Sequence, residues 1–152
     1  MSIPTSTSVS ESAVIAAPFS DVWHLIKLQD FSKFWSNLDK SERAKEASGE
    51  TDIVQWTFKD GTVLDVKQEE HSSIDHFITY SVISSQPALS YTSVVSTIRV
   101  YPVTSGEHEG QTFITWSGNF SSDADAGVIA DAKFKRREAL SDLAKAASAG
   151  KK

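Results

Sequence analysis

Cysteine is absent from this 152-residue sequence, which excludes disulfide bridges, thiolate metal sites and a cysteine nucleophile. Recognisable catalytic signatures are missing as well: there is no nucleophile elbow, P-loop, dinucleotide fingerprint or HExxH pair. The four histidines, His24, His71, His76 and His108, have no zinc-type spacing, although His71 and His76 flank a predicted turn. No metal and no cofactor are expected. Long apolar runs are also lacking. The longest, AVIAAPF over 13–19, is broken by Pro18, well short of the roughly 20 residues that cross a bilayer as a helix. The opening MSIPTSTSVSES has no basic segment leading into an apolar one, so a cytoplasmic location without a membrane span is expected. Positive charge is in deficit. A net charge of −5 argues against a nucleic-acid partner, and the basic residues Lys133, Lys135, Arg136 and Arg137 scatter around a helix instead of forming a stripe.

What is present is an aromatic supply large enough for the walls of a pocket: four Trp, three Tyr and eight Phe. A chain of this length buries about 70% of its unfolded surface. The expectation is one domain over 9–148, with a frayed segment at 1–8 and a basic tail at 149–152. Its longest periodic stretch runs from Asp123 to Ala147. Projected at about 100° per residue, Val128, Ile129, Ala132, Ala139, Leu140, Leu143 and Ala147 share one arc. Arg136 falls inside that arc and Phe134 nearly opposite, the reverse of a simple amphipathic helix.

Ahead of this helix, Val9 to Ala16 reads as a strand, and Pro18 with Ser20 signals a helix start. Within SDVWHLIKLQ, residues Val22, Trp23 and Ile26 share a face, which makes Trp23 a core anchor. A second short helix is predicted over Asp30–Trp35. Strands are predicted at Ser41–Ala47, Asp52–Phe58, Thr62–Glu70, Asp75–Ser84, Ser90–Val103 and Gln111–Phe120. Clearest among them is DIVQWTF, where Val54, Trp56 and Phe58 alternate with polar residues. In QTFITWSGNF, Ile114, Trp116, Gly118 and Phe120 share a face, and Gly118 marks a bulge or a close approach. Short turns favour antiparallel neighbours. The fold class is α+β: a curved antiparallel sheet of about seven strands around a long C-terminal helix, with two short helices after strand 1.

This order resembles the START-type helix-grip superfamily (SRPBCC), the birch-pollen-allergen-like fold, and in particular its polyketide cyclase/dehydratase and lipid-transport branch. The resemblance spans roughly Ser10 to Ala147. It is carried by ESAVIAAPFSDVWHLIKLQDFSKFW, by GTVLDV followed by ITYSVISSQPALSYTSVVSTIRVYPV, and by TFITWSGNF leading into the last helix. The glycine-rich loop of the pollen-allergen members is replaced by Ser48-Gly49-Glu50-Thr51-Asp52, so a phosphate-loop role is not expected. The resemblance implies a cavity between sheet and helix for a small apolar or amphipathic ligand, but no single chemistry.

Trp56, Tyr80, Ile98 and Trp116 lie on the more apolar faces of their strands and are candidates to line that cavity, with Trp35 at one mouth. Each has the alternative of plain core packing. Asp65 is a further candidate through the resemblance, in which an acidic residue at this place points inward. Alternation leaves both faces open to it, since Val63, Asp65 and Lys67 share one and Leu64 and Val66 the other. Arg136 either enters the cavity or snorkels along the apolar face to water.

The primary expectation is a monomer or weak dimer that binds or carries a small hydrophobic or aromatic molecule. The alternative is a cofactor-free cyclase/dehydratase-like enzyme, with Asp65 as acid or base and Tyr80 or Arg136 stabilising an enolate. A third reading, a co-chaperone-like interaction module, rests on Phe134 alone.

Overall fold

The computed structural model describes residues 6–43 and 53–149. Residues 1–5 of the expected frayed start, the predicted turn at 48–52 and residues 150–152 of the basic tail lie outside them, as do residues 44–47 of one predicted strand. Among the described residues, seven strands form one sheet: β1 (Ser8–Ile15), β2 (Leu38–Arg43), β3 (Ile53–Phe58), β4 (Val63–Ser72), β5 (Phe77–Gln86), β6 (Val94–Pro102) and β7 (Thr112–Phe120). Their order is β1-β7-β6-β5-β4-β3-β2, and every neighbouring pair is antiparallel. From β2 onward the chain therefore meanders, and β1 closes the far side against β7. Helix α1 (Phe19–Leu25) and a 3-10 helix (Leu28–Lys33) link β1 to β2, and the curved sheet wraps the long helix α2 (Ala126–Ala149).

Alternation sets which side chains reach the interior. On β7, Thr112, Ile114, Trp116, Gly118 and Phe120 are buried; on β6, Val94, Ser96, Ile98 and Val100 are. From α2 come Ile129, Ala132, Arg136, Ala139, Leu140, Leu143 and Ala147. Two apolar clusters result. The larger holds the α1 end of the molecule and takes Ala139, Leu140, Leu143 and Ala147. The smaller gathers Val9, Val94, Phe120 and Ala124 around Ile129 and Ala132. Arg136 stands on the helix between them.

Boundaries differ from the sequence reading where local chemistry intervenes. The last helix begins at Ala126, not Asp123, because Asp125 caps it: its Oδ1 accepts from the Val128 N–H at 2.9 Å. β6 starts at Val94 instead of Ser90, and β2 at Leu38 instead of Ser41. The second short helix precedes its expected position and leaves Trp35 just beyond it. Trp23 is only half-buried. Val22 and Ile26 fill the core of this two-turn helix, and the Trp23 ring lies at its edge, 5.4 Å from His71 and 5.0 Å from His76.

Three contacts fasten α2 from outside its apolar stripe. Asp142 Oδ2 accepts from both the N–H and the hydroxyl of Ser36 at 2.9 and 2.7 Å. Glu138 accepts from Trp35 Nε1 at 3.2 Å, and Arg137 reaches Glu11 of β1 at 2.8 Å. Phe134 points away from the sheet and is 63% exposed.

Candidate functional site

Between the two apolar clusters lies a cavity of about 320 Å³. Its aromatic wall is built from three directions. Trp35 follows the 3-10 helix, Trp56 and Phe58 come from β3, and Trp116 comes from β7. The Trp35 ring stands edge-on to Trp56 at 5.9 Å, Phe58 at 5.3 Å and Trp116 at 5.7 Å. Trp35 is thus a buried wall residue, not the closure of a mouth. Exposed Pro87, Ala88, Ser90 and Asp131 mark the opening, between the β5–β6 loop and α2.

The polar part of the wall is a row across three strands. Tyr80 on β5 pairs with Ser96 on β6, which pairs with Gly118 on β7. Arg136 descends onto this row from α2. Its Nη2 donates to Ser96 Oγ at 2.8 Å and its Nη1 to the Ala132 carbonyl at 3.3 Å. The guanidinium carbon lies 5.5 Å from the Trp116 ring and 5.8 Å from that of Phe120. Gly118 makes the space: a Cβ there would stand 2.5 Å from Nη2 and 3.2 Å from Cζ of Arg136. The pairing of β7 with both neighbours runs through Gly118 without a register shift, so close approach, not a bulge, explains this glycine.

Tyr80 hydroxyl accepts from Trp116 Nε1 at 3.0 Å. Burial raises the Tyr80 pKa; the Arg136 charge and hydrogen bonds with Ser96 and Trp116 oppose that shift. The phenol therefore stays protonated at neutral pH and retains a proton to donate.

Of the residues expected in the cavity, Trp35, Trp56, Tyr80, Trp116 and Arg136 line it. Asp65 does not. Leu64 and Val66 pair with inward Trp56 and Val54, which turns Asp65 to the opposite face of the sheet. There its Oδ1 accepts from Gln55 at 3.2 Å and its Oδ2 from Ser84 at 2.7 Å. Ile98 does face inward, but two residues further along β6 than Ser96. At that level Ile26, Phe31, Ile114, Leu140 and Leu143 close around it, leaving a crevice with no room for a water. Ser96 and the Pro87–Tyr91 wall were not anticipated. The available signal for Ser96 was its place as the one hydroxyl in the inward series Val94, Ser96, Ile98, Val100.

A family model described as polyketide cyclase / dehydrase and lipid transport matches residues 6–148. The chain belongs to that family. Among solved structures, this polyketide cyclase/dehydrase family member is similar to XoxI of Bacillus cereus. The identity is 20%, coverage is 93% of this chain and 95% of that one, and the TM-score is 0.78. It is also similar to the di-domain ARO/CYC protein StfQ of the steffimycin biosynthetic pathway, at 17% identity over 91% of this chain and 44% of that one, TM-score 0.70. Major latex-like protein 151 of Panax ginseng aligns at 17% identity over 92% and 96% of the two chains, TM-score 0.69. At these identities the likeness is one of fold, that of the SRPBCC helix-grip superfamily. No curated protein sequence matches the chain. Among the described residues, no helix is long and apolar enough to cross a membrane, and no group of three or more His, Asp or Glu side chains is placed to hold a metal ion.

One latch of this family member secures the mouth. Asp123, just before α2, accepts from the Thr92 N–H at 3.1 Å, the Thr92 hydroxyl at 2.8 Å and the Ser121 hydroxyl. It thereby ties the β5–β6 loop, next to wall residue Tyr91, to the start of the helix. The Ser121 and Thr92 hydrogen bonds hold its pKa down to about 2, from an ordinary 3.8. Because the folded-state pKa is the depressed one, the contribution is complete above the ordinary value and is lost as pH falls through about 2. In urea titrations the midpoint gap between wild type and Asp123→Ala is therefore expected to be constant near neutrality and to close between about pH 4 and 2. A gap that persists below that range would count against the latch.

Proposed function

We propose that the protein binds and carries a small hydrophobic or aromatic molecule in the cavity between the sheet and α2. The observation that carries this reading is the cavity itself. At about 320 Å³ it reaches the small end of the 300–1,000 Å³ typical of ligand sites. Its walls are rings and aliphatic groups, with a few convergent polar atoms on one side, the composition that such sites share. The family description, which joins cyclisation and dehydration with lipid transport, is compatible with an occupant of that kind.

The enzyme reading is less well supported. Its acid or base was Asp65, which does not reach the cavity. Among the described residues, Asp131 is the one carboxylate on the lining, and it sits exposed at the mouth, 3.0 Å from Lys135. Tyr80, with its raised pKa, is a hydrogen-bond donor at neutral pH and not a general base. These groups suit recognition better than proton abstraction.

Titration with phenylnaphthylamine, a neutral dye that brightens in apolar surroundings, tests the reading. Wild type and Asp65→Asn are expected to bind it with equal affinity at one dye per chain. Absence of binding to wild type would sink the proposal. Loss confined to Asp65→Asn would restore Asp65 to the site.

A further inference from the structure

Among the described residues, Arg136 faces no anion. Its side chain is buried, with the residue only 8% exposed, yet among the described residues no carboxylate forms an ion pair with it. A guanidinium carries five N–H donors and does not lose its charge. Here Nη2 reaches the Ser96 hydroxyl and Nη1 a carbonyl of its own helix, while Nε is buried with no acceptor among the described residues. The rings of Trp116 and Phe120 offer the cation a partial counter-charge but cannot satisfy in-plane N–H groups. An uncompensated charge in such a place is costly, and the fold adds to the commitment by leaving Gly118 without a side chain to seat it.

The surroundings have the same polarity. Asp131 is drawn to Lys135 at the mouth, so it does not neutralise the interior. Next to the guanidinium, the Ser96 hydroxyl accepts from Arg136, Tyr80 is protonated, and the two hydroxyls share a hydrogen bond, so the pair keeps one proton to give. The polar side of the cavity is thus a cluster of donors around one permanent cation, facing a wall of aromatic rings.

Building on the binding reading above, we propose that the occupant is an amphipathic monoanion. Its carboxylate sits on Arg136, with the hydrogen-bonded hydroxyl pair of Ser96 and Tyr80 giving it one further donor, and its apolar body lies against Trp35, Trp56 and Trp116. Planar guanidinium and carboxylate match in a two-point arrangement, and the carboxylate supplies the counter-charge that Arg136 lacks among the described residues.

Displacement of bound phenylnaphthylamine by decanoate and by decanol separates the two levels of the argument, because the competitors share a chain and differ in the charge of the head. At neutral pH decanoate is expected to displace the dye from wild type at a concentration at least about tenfold lower than decanol. In Arg136→Met that ratio is expected to fall to one or below. Equal or better displacement by decanol from wild type, which requires no variant, would overturn the anion proposal while leaving the cavity reading intact. A ratio unchanged in Arg136→Met would overturn it too. Failure of the dye to bind wild type would defeat the cavity reading itself.

Discussion

Trp116→Ala is expected to destabilise the protein by about 3–5 kcal/mol, the range for removing a large buried aromatic side chain. Trp116 is 3% exposed and stands at the meeting of all the structural layers. Phe31 and Trp35 lie edge-on to its ring at 5.7 Å, Arg136 covers it at 5.5 Å, and its Nε1 donates to Tyr80. It also borders both the open cavity and the closed crevice around Ile98, so its loss merges two spaces and leaves little scope for collapse. Domains of ordinary stability hold about 5–15 kcal/mol in total, and the variant would keep only a fraction of that. Urea denaturation reads the change directly. Trp116→Phe, which retains a ring but gives up the donor to Tyr80, should cost distinctly less. An alanine variant within about 1 kcal/mol of wild type would mean that the ring is peripheral.

Gly118→Ala is the smaller chemical change with the more diagnostic sign. In the interior of a strand, replacing glycine by alanine ordinarily stabilises by about 0.5–1 kcal/mol. Here the new methyl would meet Arg136 Nη2 at 2.5 Å and the Ser96 hydroxyl at 3.4 Å. The guanidinium must move toward the cavity and give up its bond to Ser96, a charge-assisted contact of about 1.5–3 kcal/mol. A net loss of stability is therefore expected where backbone entropy alone predicts a gain. In a double-mutant cycle with Arg136→Met, whose side chain has no branched terminus to clash, the loss should be largely relieved, giving a coupling of the order of 1 kcal/mol or more. Additive effects would show that the glycine and the arginine are independent.

Helical phase made the face of Arg136 legible before any coordinates, because at about 100° per residue position 136 lies one turn from Ala132 and on the same arc as Ala139 and Leu140. Strand alternation did the same for Trp56 and Trp116. Its limit is visible at Ile98: parity gives the face of the sheet but not the level along the strand, and at that level Leu140 and Leu143 fill the space a ligand would need. Asp65 failed for a different reason. The residues themselves, with Leu64 and Val66 on one face, were compatible with an outward carboxylate, and the inward reading came from family likeness. The mouth was hidden because Ser90 to Ser93 carries strand-forming Tyr91 and Thr92, whereas Thr92 donates to Asp123 and the Ser93 N–H to Ser121, partners that lie about thirty residues away in sequence.

The division of the apolar interior into two clusters makes α2 a beam resting on unequal footings. At the far end it is bedded on Leu140, Leu143 and the large cluster, and fastened to Ser36 through Asp142. At the near end it rests on Ile129 and Ala132, with Val128 partly buried beside them, and has Asp125 and Asp123 as its polar fastenings. Free energies of local opening follow the apolar contact that must be broken, so the near footing yields at lower cost, and it is the one that adjoins the mouth. A ligand could be admitted by raising that end while the far end stays seated. Acid, by protonating Asp123 as pH falls through about 2, would release a fastening of that same end.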